Sequence, residues 1–292
     1  MLFFLLRTLK KVSNNQLCSL FLESLKEKIA ASILVAYLFP IPLKSTIMKK
    51  KITVIIAFCL PSQLAGMVLN LLGHKIHSTA KIGFSFLSVN KLYMDKDARI
   101  GHFNIIIANK LLMREGAFMK KFNRVRGPIN LLFRKYAALA NGNNVYRGNS
   151  PITIGLATLK LGVLGQIVSK TMLDLTKSIT IGDNSTVGGH GGQFWTHGFV
   201  HAQKGSGRIR VDGEIVIGNN VYVGSRCTFN PGVFVGDGIS IGSNVCVAKS
   251  LKKSGMYVAQ SLRWIPQDFD KICARLTKVE NHQLENVYEK VI

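Results

Sequence analysis

Acidic residues are scarce in this chain: 15 Asp and Glu stand against 38 Lys and Arg in 292 residues, a formal charge of +23. A fold with that excess needs an anionic partner, whether nucleic acid, an anionic membrane face or phosphate-bearing small molecules. Cysteine is sparse too. Cys18, Cys59, Cys227, Cys246 and Cys273 are odd in number and form no Cys-x-x-Cys pair, so neither a disulfide framework nor a zinc knuckle is expected, and a reducing compartment suits the chain. No His/Cys cluster has metal-ligand spacing, and no catalytic metal is expected. Gly-x-Gly-x-x-Gly in a strand–turn–helix setting and a Walker lysine are both missing. So are the patterns of a helix-turn-helix, an RRM or a zinc finger, which leaves nucleic-acid binding resting on charge alone. Disorder is excluded by the 47% apolar content.

Residues 1–75 read as a helical, basic segment. Ile29 to Phe39 is uncharged but ends at Pro40 and Pro42, short of the roughly 20 residues of a membrane span. Ile52 to His74 is long enough and carries no formal charge, yet Pro61, Ser62, Gln63 and Asn70 interrupt it. Arg7, Lys10, Lys11, Lys26, Lys28, Lys44 and Lys49 to Lys51 flank these runs against Glu23 and Glu27. Two readings remain open: an interfacial anchor on an anionic leaflet, or a helical cap on the next domain. No compact apolar stretch is followed by a small-residue cleavage site, and Met48 is a second possible start.

What the chain has in abundance is a six-residue repeat. Ile217, Val223, Phe229, Val235, Ile241 and Val247 recur every sixth position, with Gly218, Gly224, Gly236 and Gly242 directly after four of them. Four residues after each comes a second small or apolar residue, in the series Val221, Cys227, Val233, Ile239, Val245, Leu251. Neither a helical period nor strict alternation gives this spacing. A solenoid of short flat strands does, with three hexads per turn of a triangular prism and the repeated side chains stacked inside. Ile181–Gly182 and Val187–Gly188 are in phase, and Ile76, Ile82–Gly83 and Ile100–Gly101 begin the pattern. Between 106 and 178 it degenerates, although Ile100-Gly101-His102-Phe103-Asn104 is echoed by Met119-Lys120-Lys121-Phe122-Asn123. Irregular coils are expected there, carrying a basic belt of Lys120, Lys121, Arg124, Arg126, Arg134 and Lys135. The domain expectation is thus a β-helix over 76–260 between the amino-terminal segment and a carboxy-terminal helical tail, 261–292, with Phe269, Ile272, Leu276 and Val279 at helical spacing.

The stretch from Ile215 to Ser250 resembles the hexapeptide-repeat acyltransferases, most nearly the sugar and surface-polysaccharide O-acetyltransferases. The resemblance is strongest over 179–253. It implies an all-β solenoid, a left-handed parallel β-helix, assembled as a homotrimer with sites between prisms. It implies acetyl-CoA as acyl donor and a sugar hydroxyl of a surface polysaccharide or its precursor as acceptor. A cytoplasmic location follows, with possible peripheral contact on the inner membrane face. The family's histidine base falls on Thr196-His197, with His201 and His190 as alternates; a neutral imidazole takes the hydroxyl proton as the oxygen attacks the thioester. Gly224 and Ser225 match the glycine-bearing corner beside the thioester, and Ala248 and Lys249 the stretch near the CoA phosphates. Gln193 and Trp195 are acceptor-side candidates. Asp183, Asp212 and Glu214 are the carboxylates that could orient His197, and sequence does not choose among them. Gln260-Ser261-Leu262-Arg263-Trp264 departs from the family's closing turn. N-acyl transfer to an amino sugar and a non-catalytic scaffold are the competing readings.

Overall fold

The computed structural model describes residues 46–259 and, in the tail, Lys271, Ala274, 277–278 and 288–289. Residues 1–45, with the Ile29 to Phe39 run, and most of the expected carboxy-terminal helix lie outside the described residues. Within the tail, Thr277–Lys278 pairs antiparallel with Tyr288–Glu289.

Among the described residues two helices precede the strands, α1 (Thr46–Cys59) and α2 (Ser62–Leu71). Pro61, which lacks an N–H, separates them, so the uncharged run from Ile52 is split. No helix among the described residues is long and apolar enough to cross a membrane. Thr53, Ala57, Ala65 and Leu69 are buried against the first coils.

From Lys75 to Tyr257 the chain is a left-handed parallel β-helix of about nine turns. One face stacks Lys81–Ile82, Arg99–Ile100, Phe118–Met119, Ala138–Asn141 and later strands to Gly255–Tyr257. A second runs Arg124–Arg126, Asn144–Tyr146, Met172–Asp174, Gln193–Phe194, Thr228–Phe229 and Cys246–Val247. The third runs from Ile129–Phe133 to Phe234–Val235. Phe86–Met94 and Ile105–Met113 bend round the edge between the second and third faces and pair along both. Ile217, Val223, Phe229, Val235, Ile241 and Val247 all point inward and are at most 3% exposed, as the six-residue period requires. Side chains that pack this way, coil on coil, contribute about 1.5–3 kcal/mol each for the larger aliphatics.

The repeat fades between 106 and 178 for a geometric reason. Late coils close in eighteen residues, as Thr228 pairs with Cys246. In the middle, Ile105 pairs with Arg124, Arg124 with Asn144, and Met172 with Gln193, so one to three extra residues enter each turn. Two coils carry larger insertions, a loop at 148–156 and an antiparallel hairpin of His197–His201 with Arg208–Asp212. Gly182 illustrates the corner requirement: a Cβ there would collide with the Gly218 carbonyl of the next coil.

His74 joins the helices to the prism. Leu92 N–H donates to its Nδ1 at 3.1 Å, which puts the ring proton on Nε2 for donation to Thr53 Oγ1 at 3.0 Å. The Thr53 hydroxyl in turn donates to the Lys49 carbonyl at 2.9 Å. Burial, helped by the Lys49 charge, pushes the His74 pKa down to about 4 from 6.5. Between those values the unfolded chain takes up a proton that the folded chain refuses. Stability is therefore full above pH 6.5 and falls as pH drops toward 4, by at most about 3 kcal/mol. Melting at pH 7 and pH 5 is expected to differ by several degrees in the wild type, and by much less in His74→Gln. An equal difference in both proteins would place the pH sensitivity elsewhere.

Candidate active site

The strand Met172–Asp174 ends a coil on the second face, and Leu173 pairs in register with Phe194 one coil on. After Phe194 the chain leaves the prism at Thr196 to begin the hairpin. That exit swings His197 back over the end of the previous strand. His197 Nδ1 lies 2.7 Å from Asp174 Oδ2.

Asp174 is buried, 1% exposed, and ringed by donors. Thr196 N–H reaches its Oδ2 at 3.1 Å and the Thr176 hydroxyl its Oδ1 at 3.1 Å. Thr196 Oγ1 is within reach of both the Asp174 carbonyl and Oδ2, at 2.8 and 3.0 Å, and accepts from Lys177 N–H at 2.9 Å. A carboxylate so placed only accepts, so His197 Nδ1 carries the proton it donates and Nε2 keeps a lone pair. The His197 side chain is 26% exposed and lines a cleft of about 680 Å³. Phe199 stands edge-on to its ring at a centroid distance of 5.8 Å. A fixed tautomer, a free lone pair and access to a cleft are what a general base needs.

The cleft walls are tied by arginines. Arg147, 5% exposed, donates to the carbonyls of Pro128, Ile154 and Gly155 at 3.3, 3.2 and 3.0 Å, which folds the 148–156 loop onto the coils. Burial lowers its pKa, and the Asp174 charge partly restores it. Arg210 grips Asp212 through two contacts of 2.7 and 2.8 Å and donates to the Ile152 carbonyl at 2.7 Å, linking hairpin to loop. Burial, and secondarily the Asp174 charge, raises the Tyr146 hydroxyl pKa. The cleft also holds Lys50 and Arg126.

The carboxylate beside His197 is thus none of the three that sequence offered. Asp183 accepts from Val163 N–H at 2.8 Å on another corner, Asp212 is occupied by Arg210, and Glu214 is exposed and makes no contact with the ring. Of the alternate histidines, His201 ends a hairpin strand opposite Arg208, and His190 is exposed at the end of Thr186–His190. Neither lines the cleft. Gly205-Ser206-Gly207 forms the exposed hairpin tip. Trp195 meets Tyr146 of the cleft edge to face at 6.5 Å, and its Nε1 donates to Gln193 Oε1 at 3.0 Å. Phe194, Phe229 and Val247 are successive register partners, so Ala248 lies two coils, roughly 10 Å, beyond Trp195 on the same edge. Ala248 and Lys249 are exposed there. Gly224 and Ser225 occupy the opposite edge of that face, where Ser225 N–H donates to Ser243 Oγ at 3.2 Å. Cys227 is buried, its thiol pKa raised by that burial, and its Sγ lies 3.0 Å from the Gly242 carbonyl. Among the described residues no group of three His, Cys, Asp or Glu is placed to hold a metal ion.

No known protein-family profile matches the chain. Over 82 residues it is 34% identical to a probable macrolide acetyltransferase of Lysinibacillus sphaericus, across 27% of this chain and 46% of that protein. The chain therefore matches about half the length of that relative. A solved polysialic-acid-specific acetyltransferase overlays with a TM-score of 0.30 at 14% identity, covering 67% of this chain and 84% of its own. A polysialic acid O-acetyltransferase overlays with a TM-score of 0.34 at 13% identity, covering 68% and 91%. At such scores neither overlay bears on the site. In its stacked hexads and in the segment shared with a curated acetyltransferase, the chain is similar to the hexapeptide-repeat acyltransferases.

Proposed function

We propose that the chain is an acyl-CoA-dependent O-acetyltransferase acting on a sugar hydroxyl of a surface polysaccharide or its precursor. The observation that carries this reading is the 2.7 Å contact between buried Asp174 and His197 Nδ1, which leaves Nε2 free at a cleft. In the proposed reaction the acceptor hydroxyl donates to Nε2 as its oxygen attacks the thioester carbonyl. The carbon–sulfur bond breaks, and the proton passes from His197 to the departing CoA sulfur. Asp174 holds the ring tautomer throughout and stabilises the imidazolium while it exists. Ala248 and Lys249, on the His197 edge, support a donor lying along the late coils, with Lys252 and Lys253 near its phosphates. Gly224 and Ser225 are proposed as contacts across the same face. Homotrimeric assembly belongs to this reading. So does peripheral contact with an anionic membrane, which Lys51 on the helix face of the exposed Ile55 and Phe58 supports.

The test is release of free CoA from acetyl-CoA against a panel of neutral sugars, acidic sugars, amino sugars and a macrolide. Acceptor-dependent release that is lost in His197→Ala is expected. Release from amino sugars alone, with an amide product, moves the reaction to N-acyl transfer. Equal release by wild type and variant ends the histidine assignment, and no release with any acceptor favours the scaffold.

A further inference from the structure

A second concave surface lies on the other side of the prism. A groove of about 1100 Å³ runs over the first coils of the first face and shares no lining residue with the His197 cleft. Lys81 and Arg99, register partners on adjacent coils, project from its floor. Lys120 and Lys121 stand at one rim. Asp97 is the one carboxylate among its lining residues.

An aromatic row starts at Phe84 and His102, which line the groove, and continues outside it to Phe103 and Phe122. Phe84 meets His102 at 5.4 Å, His102 meets Phe103 at 6.0 Å, and Phe103 stacks on Phe122 at 5.5 Å with 16° between planes. Phe84, Phe103 and Phe122 are 46%, 57% and 63% exposed. Phe103 and Phe122 also hold left-handed backbone, at φ 59° and 60°, which costs a bulky residue about 1–3 kcal/mol. Asn184, Asn220 and Asn244 make the equivalent turn with a side chain that tolerates it. Leu164, Lys170 and Arg226 show that the turn alone marks nothing. What marks the groove is that the strain falls on an exposed aromatic row that buries no core.

We propose that this groove binds an acidic polysaccharide lying along the prism axis. Its carboxylates would pair with Lys81, Arg99 and Lys120, and its sugar faces would rest on the row from Phe84 to Phe122. The choice of a glycan rests in part on the sugar-acceptor reading above, whereas the anionic, elongated character of the ligand rests on the groove itself. The floor cations sit between the rims, where a flat bilayer would meet the rims first. A second copy of this chain, with its own excess of 38 cations over 15 carboxylates, would bring like charge to the groove. Coils repeat at about 4.8 Å, near the advance of one residue in an extended glycan.

Binding of the full chain to polygalacturonate, dextran, poly(dT) and phosphatidylglycerol vesicles separates these partners. Polygalacturonate is expected to bind in a salt-sensitive way and dextran not to bind. Lys81→Glu/Arg99→Glu is expected to weaken polygalacturonate at least tenfold, and Phe84→Ala severalfold, with melting temperatures and CoA release unchanged. His197→Ala should retain the binding, so failure of the transferase reading and failure of the groove are told apart. Undiminished binding in the charge-reversed variant overturns the proposal. So does tighter binding of poly(dT) or vesicles that is lost in that variant, or a change of oligomeric state in the variants as the only effect.

Discussion

Asp174→Asn is expected to lower acceptor-dependent CoA release by two to four orders of magnitude at saturating acceptor, with KM little changed. Asparagine keeps the shape but has one acceptor oxygen, whereas Thr196 N–H and His197 Nδ1 share Oδ2 at 3.1 and 2.7 Å and the Thr176 hydroxyl meets Oδ1. With the carbonyl in the Oδ2 place the neutral amide keeps the ring tautomer but no longer stabilises the imidazolium; with the nitrogen there, it presents N–H₂ to both Nδ1 and the Thr196 N–H. In that second arrangement Nδ1 must accept, the ring proton moves to Nε2, and the lone pair that would take the hydroxyl proton is gone, so either orientation slows proton removal. Base catalysis contributes about 10²–10⁴ in rate, and an orienting carboxylate acts only through that base. The double variant Asp174→Asn/His197→Ala should therefore be no slower than His197→Ala alone, because the two act as a unit. Thr176→Val, which removes one donor and leaves the carboxylate, should cost about tenfold or less. Steady-state kinetics on the four variants decide the matter. A loss below tenfold for Asp174→Asn, or additive losses in the double variant, would remove Asp174 from the mechanism.

His197 was legible because its local sequence, Thr196-His197 after Gln193-Phe194-Trp195, is contiguous. Asp174 was not, because it lies 23 residues earlier and reaches the ring only through the height of one coil. A signal was nevertheless present: Met172-Leu173-Asp174-Leu175 sets a carboxylate inside an apolar run, and Leu173 and Leu175 are fully buried. A charge at such a place needs donors to hold it. Reading it required the coil length at that point, and the register from Met172 to Gln193 is twenty-one residues, outside the six-residue period. The same longer coils hid the loop at 148–156 and its arginine tie. The groove over the first face was hidden for another reason. Lys81 and Arg99 are eighteen residues apart in the sequence, and only the coils stack them side by side.

The late coils were readable because each inward position repeats at a fixed interval and each corner is marked by glycine. Where the coils lengthen, a different device takes over, and the echo of Phe103-Asn104 in Phe122-Asn123 is its trace. Asn104, Asn123 and Asn143 are each 1% exposed and form a ladder through the edge of three coils. Asn123 N and Nδ2 donate to Asn104 Oδ1 at 2.9 and 3.0 Å. Asn143 N and Nδ2 donate to Asn123 Oδ1 at 2.9 and 3.0 Å, and Asn123 Nδ2 also donates to the Ala140 carbonyl at 2.7 Å. Asn143 Oδ1 passes the pattern on to Thr171 N–H at 3.0 Å.

Asn123→Ala removes the middle rung and strips partners from both neighbours at once. Each buried polar group left unsatisfied costs about 1–3 kcal/mol, and Asn143 N–H, Asn143 Nδ2 and the Ala140 carbonyl are all affected. A loss of about 3 kcal/mol or more is expected, a fall of roughly 10 °C in melting temperature. Phe122→Ala, one residue away but exposed, should cost less than about 1 kcal/mol, so the contrast isolates the ladder from the coil that carries it. Chemical denaturation of both variants measures it directly. If Asn123→Ala unfolds within 1 kcal/mol of the wild type, water has entered to replace the amide, and the repeated asparagines hold the coils by something other than their hydrogen bonds.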